Sequence, residues 1–201
     1  AASTSGVFDR LILSTDDEHI TRIAKEYGCE VPFMRPAELA TDTTPHTPVV
    51  QHAVQWLCDN EYYTPDFVMI LQPTAPLRTA RHIKEAVNLI IKNGADSVVS
   101  VCEVPGHYHP RWQFTIGHDN RMTIFTGEPF VNIVKRRQDL PTTYTRNGAI
   151  YLFKTSLLFD AHKPNFYGDH VAAYLMKLEE SVNIDTMEDW REVERILNQL
   201  P

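Results

Sequence analysis

The sequence predicts an α/β domain built on a mostly parallel sheet with helices on both faces. Three observations predict it. Short apolar runs alternate with segments of helical period. The run Phe67–Leu71 is apolar at every position, as a strand covered on both faces must be. Polar or Gly-containing loops follow the periodic segments, which is the rhythm of strand, helix, strand.

The elements follow in order. Arg10–Ser14 reads as a buried strand that ends at Thr15-Asp16-Asp17. Ile20, Ile23, Ala24 and Tyr27 carry a helix that Gly28 stops. Val31–Phe33 reads as a brief second strand, and Val50, Ala53, Val54 and Leu57 as an amphipathic helix. After Phe67–Leu71, Ile83, Val87, Ile90 and Ile91 mark a helix ended by Asn93-Gly94, and Ser97–Val101 reads as a fourth strand. The pattern loosens over 104–146, with short strand candidates at Trp112–Thr115 and Met122–Phe125. Gly148–Phe153 returns to a clear strand. Val182–Ile184 reads as another, and Trp190, Val193, Ile196 and Leu197 make a closing helix. One domain over 1–201 with an inserted excursion at 104–146 is the simplest division, with no repeat and no linker.

Composition narrows the function. The 201 residues are 43% hydrophobic and 22% charged, enough for one sizeable core. A net charge of -7 argues against nonspecific nucleic-acid binding. No run of about 18 apolar residues predicts a membrane span, and the first residues lack the pattern of a signal peptide. Cys29, Cys58 and Cys102 are scattered and read as reduced thiols of a cytoplasmic protein.

In an open α/β sheet, ligands bind beyond the carboxyl ends of the strands. Ser14–Asp17, Gln72–Arg78, Glu103 and Asn183–Asp185 are the polar segments expected there. Gln72–Arg78 is the sharpest: Pro73 and Pro76 each fix φ, and Gln72 offers a donor and an acceptor. It suits reading a base or sugar edge, and equally a strand-to-helix turn capped by Thr74 or Thr79. Lys135–Asp139 is the only dense basic cluster, suited to phosphate or carboxylate, or simply a solvated turn. Asp185 is placed to ligate Mg²⁺, or else it or Thr186 caps the closing helix. The histidines show no zinc-site spacing with the cysteines, and neither a GxSxG elbow nor a GxxxxGK[ST] loop is present.

Five segments in order carry a resemblance. They are Leu13-Ser14-Thr15-Asp16-Asp17, the run FMRPAELATDTT from Phe33 to Thr44, and LQPTAPLR from Leu71 to Arg78. Arg136-Arg137-Gln138-Asp139-Leu140-Pro141 with Tyr144 and Asn147–Tyr151 is the fourth, and Val182–Thr186 with Asp189-Trp190 the fifth. Over nearly the whole chain the sequence resembles the acylneuraminate cytidylyltransferases. The resemblance implies a three-layer nucleotidyltransferase fold and transfer of CMP from CTP to the anomeric hydroxyl of a nine-carbon acidic sugar, with pyrophosphate released. It implies Mg²⁺ held by Asp185 with Asn183, and catalytic roles for Arg136, Arg137 and Asp185. It places Arg35, Thr44 and His46 near the nucleotide, Gln72 on substrate, and Asn147 and Tyr151 on the sugar side. It makes 104–146 a dimerisation arm, hence a homodimer.

Two departures shape the expectations. The family's opening strand and basic Gly-rich CTP loop have no match here, so the chain is expected to omit about 40 residues of the whole protein, the size of one βα unit. Alone it is expected to be weakly active or inactive. Asn183 stands where the family has an Asp, and a small hydroxyl residue is usual at the place of His46. Two alternatives stay open: a cytidylyltransferase for 3-deoxy-octulosonate, and a noncatalytic subunit or binding module of the same fold.

Overall fold

The computed structural model describes residues 1–199, so the last two positions of the predicted domain lie outside the described residues. The helices are α1 (Ala2–Ser5), α2 (Glu18–Glu26), α3 (His46–Glu61), α4 (Ala80–Asn93) and α5 (Met187–Leu197). The strands are β1 (Phe67–Ile70), β2 (Ser97–Glu103), β3 (Phe114–Ile116), β4 (Met122–Ile124), β5 (Tyr144–Lys154) and β6 (Val171–Leu175).

The main sheet has the order β1-β5-β2-β6. β2 pairs parallel with β6, and β5 pairs antiparallel with both β1 and β2. Three strands therefore run one way, and β5 alone runs against them. Its beginning lies beside the carboxyl ends of the others.

Two apolar clusters flank this sheet. Ile83, Ala86 and Ile90 of α4 meet Val98, Ile150, Leu152 and Ala172. Val54 of α3 meets Phe153 and Leu158, with Val68, Ile70 and Tyr151 packed against them. Ile150 and Leu152 join the first cluster and Tyr151 and Phe153 the second, the alternation that a strand's two-residue period imposes. The result is helix, sheet, helix. Ile83, Ile150 and Phe153 are fully buried, each worth roughly 1.5–3 kcal/mol of transfer free energy.

Several expectations change. The strands predicted at Arg10–Ser14 and Val31–Phe33 reduce to one parallel bridge between Ile12 and Glu30. Glu30 N donates to the Leu11 carbonyl and Leu13 N to the Glu30 carbonyl, both at 2.8 Å. A cavity of about 690 Å³ separates this segment from β1, and ladder hydrogen bonds do not reach across such a gap. Val182–Ile184 forms no strand, because Ile184 N donates instead to the Thr74 carbonyl at 2.8 Å. β6 was not legible: Val-Ala-Ala-Tyr-Leu is short and exposes Val171 and Leu175 at the sheet's edge. The predicted excursion contains the β3–β4 hairpin and several single 3₁₀ turns. The α5 cap is Thr186, whose hydroxyl accepts from Asp189 N at 3.2 Å, so Asp185 does not cap.

Candidate active site at the carboxyl end of the sheet

Where β1 ends, Gln72 begins a tight turn in which Ala75 N donates to the Gln72 carbonyl at 3.3 Å. Arg78 closes it. Its Nη1 donates to the Gln72 carbonyl at 3.1 Å and to the Ala149 carbonyl of β5 at 2.9 Å. The turn is thus tied to both its own start and the neighbouring strand.

Gln72 and Arg78 line the cavity beside β1 together with Ser14, Arg35 and His46. Asp9, Arg10, Tyr63 and Asp66 also line it, and the remaining wall is largely apolar, including Leu11, Leu13, Val50, Leu57, Val68 and Ile90. Arg35 is held in place by Ser14: its Nε donates to Ser14 Oγ at 3.1 Å and its Nη2 to the Ser14 carbonyl. His46 opens α3 and is exposed. Two guanidiniums and an imidazole converge with a carboxamide and a hydroxyl, a set suited to an anionic polar ligand.

A distortion of β5 completes this end of the sheet. Val99 pairs with Tyr151, but Val101 pairs with Arg146, so Ser100 alone faces residues 147–150. Ser100 Oγ donates to Asn147 Oδ1 at 2.6 Å and accepts from Ile150 N at 2.7 Å. Gly148, at φ 75°, makes the bend possible, because a side chain there would occupy the left-handed region. A Cβ on Gly148 would lie 2.8 Å from Gln72 Oε1 and 3.5 Å from Asn183 Oδ1. Three predicted segments therefore meet around one glycine.

Asn183 and Asp185 arrive through the Ile184–Thr74 hydrogen bond. Asn183 Nδ2 donates to Asp185 Oδ2 at 2.9 Å, while Asn183 Oδ1 is buried with no hydrogen-bond partner. An orphaned carbonyl oxygen beside an exposed carboxylate is a donor set that fits Mg²⁺, which takes few protein oxygens and completes its shell with water and phosphate.

The predicted residues divide. Arg35, His46 and Gln72 share the cavity. Asn147 is buried, and its amide is spent inside the protein: Nδ2 donates to Ser181 Oγ at 2.8 Å, and Oδ1 accepts from Ser100 and from Ala149 N. Its placement corrects the expectation that its side chain lines a sugar subsite; it shapes the bulge instead. Tyr151 packs on the α3 face among Val68 and Phe153, and burial first of all raises its phenol pKa. Thr44 does not line the cavity; its hydroxyl lies 2.6 Å from that of Thr41. Arg136 and Arg137 lie on the excursion, outside the cavity lining. Arg136 forms a two-pronged pair with Asp139 at 2.7 and 2.8 Å, and the Arg137 side chain packs over Gly106. Sequence reasoning missed Arg78 and Ser100 as contributors. Arg78 closes the same motif as Gln72, which is a signal; Ser100 sits in a Val-rich strand and gives none.

The chain matches the family model described as Cytidylyltransferase over residues 1–200. It is 31% identical over 189 residues to a pseudaminic acid cytidylyltransferase of Campylobacter jejuni, covering 94% of this chain and 78% of that protein. It is 32% identical over 200 residues to a CMP-N,N'-diacetyllegionaminic acid synthase of Legionella pneumophila, covering 98% and 82%. An N-acylneuraminate cytidylyltransferase of Streptococcus agalactiae is 32% identical over 192 residues, 94% of this chain and 43% of its own length. Among solved structures, a CMP:2-keto-3-deoxy-manno-octonic acid synthetase complexed with CTP superposes with a TM-score of 0.65 at 11% identity, covering 96% of this chain and 83% of that one. That likeness confirms the nucleotidyltransferase fold. With this match from end to end, and relatives that share nearly a third of its residues, the chain belongs to the acylneuraminate cytidylyltransferase family.

Proposed function

We propose that this chain transfers CMP from CTP to the anomeric hydroxyl of a nine-carbon acidic sugar and releases pyrophosphate. The observation that carries the proposal is that Arg35, His46, Gln72 and Arg78 line one cavity, which runs along β1 to its carboxyl end, where the turn after β1 meets the Asn183–Asp185 loop. Relatives named for pseudaminic, legionaminic and N-acylneuraminic acids supply the substrate class.

In this reading the chain's residues bind and orient. Gln72 presents its carboxamide from a turn stiffened by two prolines. Arg35 and Arg78 supply positive charge for phosphate or carboxylate oxygens. Asp185 and Asn183 would hold Mg²⁺, which when bound offsets charge on the phosphate oxygens and the departing pyrophosphate. Arg136 and Arg137 join the chemistry only if the excursion reaches a site, and we place that site on a partner copy. Exposed apolar residues on the excursion, Ile116 (68%), Phe125 (67%) and Val131 (85%), support a homodimer built there. The reading places the chain in the cytoplasm, where CTP is made; among the described residues no helix is long and apolar enough to cross a membrane.

The test is pyrophosphate release from CTP with Mg²⁺, by this chain and by a version carrying the family's opening strand and CTP loop, using N-acetylneuraminate, pseudaminate, legionaminate and 3-deoxy-octulosonate as acceptors. Release with a nine-carbon acid, lost when Mg²⁺ is chelated, is the expected result. Release only with 3-deoxy-octulosonate would move the assignment to the eight-carbon acids, and release with none would refute an enzymatic role.

A further inference from the structure

Arg78 and Arg35 are the two guanidiniums of this cavity held only by neutral oxygens, and Arg78 alone of them has a buried Nε with no hydrogen-bond partner. Most arginines with a close partner pair with a carboxylate, as Arg10 does with Glu30 and Glu61, or Arg111 with Glu128. Among the described residues Arg78 forms no ion pair; its partners are the carbonyls of Gln72 and Ala149. Its Nε is buried without any hydrogen-bond partner. Burial works against its charge, lowering its pKa, and no neighbouring acid offsets that. A half-buried cation whose Nε finds no partner is costly to hold, and an arriving opposite charge offsets that cost. The carbonyls it holds are those that set the Gln72 turn against β5, so its position also decides where the Gln72 carboxamide sits.

We infer that Arg78 is a positioning residue that aims Gln72 into the cavity and, beside Arg35, supplies uncompensated positive charge by which the cavity takes an oxyanion, either a nucleotide phosphate or the carboxylate of the acid sugar. The inference rests on the reading of this cavity as the transferase site, but its test does not require turnover. Pyrophosphate and N-acetylneuraminate are titrated by calorimetry into the full chain and into Arg78→Met and Arg78→Lys, with cytidine and the methyl ester of N-acetylneuraminate as uncharged controls.

Arg78→Met is expected to weaken at least one of the two anions about tenfold or more while changing the uncharged controls less than about threefold. Arg78→Lys keeps the charge but not the paired grip on two carbonyls, so it should retain part of the anion affinity and change the controls about as little as Arg78→Met does. Loss confined to pyrophosphate assigns the phosphate; loss confined to N-acetylneuraminate assigns the carboxylate. If Arg78→Met does not fold, the comparison rests on Arg78→Lys, whose anion and control affinities must then change by different factors. Equal losses on anions and controls, or wild-type protein that binds neither anion, overturn the inference. Anion binding without pyrophosphate release would leave it standing while removing the proposed reaction.

Discussion

Replacing Gly148 with Ala tests whether the β5 bulge is part of the site or only of the fold. Gly148 holds φ 75°, where an L side chain costs about 1–2 kcal/mol. The new Cβ would stand 2.8 Å from Gln72 Oε1, the far end of a flexible side chain, so the carboxamide swings away. A displaced rotamer adds about 0.5–1.5 kcal/mol. Gly148→Ala should therefore lose about 1.5–3.5 kcal/mol of unfolding free energy in urea. The useful control is Gly94→Ala. Gly94 holds φ 61° at the end of α4 but has nothing within 4 Å of its Cβ position, so it carries the backbone strain alone. Losing one Gln72 hydrogen bond to a ligand is worth about 0.5–1.5 kcal/mol, or roughly two- to twelvefold in affinity. CTP affinity, measured by titration, should fall by that factor in Gly148→Ala and stay at the wild-type value in Gly94→Ala. Equal CTP affinity in the two variants would refute the placement of Gln72 in the site.

Two further outcomes follow from buried groups. Ser100→Ala leaves Ile150 N without the hydroxyl it donates to and removes a bond to Asn147; a loss of about 1–3 kcal/mol is expected in urea unfolding, and a change under about 0.5 kcal/mol would show that the bulge does not need it. His82 is fully buried, its Nδ1 accepting from Thr79 N and its Nε2 facing Arg81 and Glu180, and burial lowers its pKa. Its folded pKa lies below the unfolded value near 6.5, so the unfolded chain binds the extra proton first. Stability should be full above about pH 6.5 and fall as pH drops below it, by at most about 1.4 kcal/mol per unit. Thermal melts of wild type and His82→Gln between pH 5 and 8 check this: the variant should lose that slope, and an unchanged slope would assign it to other groups.

The helices were legible because their apolar residues recur at helical spacing whatever surrounds them. Glu18–Glu26, His46–Glu61, Ala80–Asn93 and Met187–Leu197 contain the residues that predict them, except Tyr27, which caps the first. β1, β2 and β5 were legible from their apolar runs, although β1, expected at the centre of a parallel sheet, stands at the edge and pairs only with the antiparallel β5. Strand pairing was not. Arg10–Ser14 has a strand's composition, yet pairing depends on a neighbour at hydrogen-bonding distance, and composition does not supply one. β6 failed for the opposite reason: its edge position lets it expose Val171 and Leu175 and dulls its pattern.

The site shows the same division. Residue identity alone determined the chemistry on offer and the family, since motif order survives without coordinates. The placement of Gln72 in a rigid turn after a strand also follows from its two prolines. Only the tertiary structure decided which side chains are free to act. Asn147 and Gln72 are both amides in family motifs, but Asn147 is consumed by Ser100, Ser181 and Ala149, whereas Gln72 lines the cavity. Arg136 and Arg78 are both arginines in family motifs, but Arg136 is matched to Asp139 while Arg78 is half-buried with no acid beside it. Hydrogen bonds and ion pairs join residues far apart in sequence, 47 positions for Ser100 and Asn147 and 71 for Arg78 and Ala149, and only the folded chain brings such partners within 3 Å.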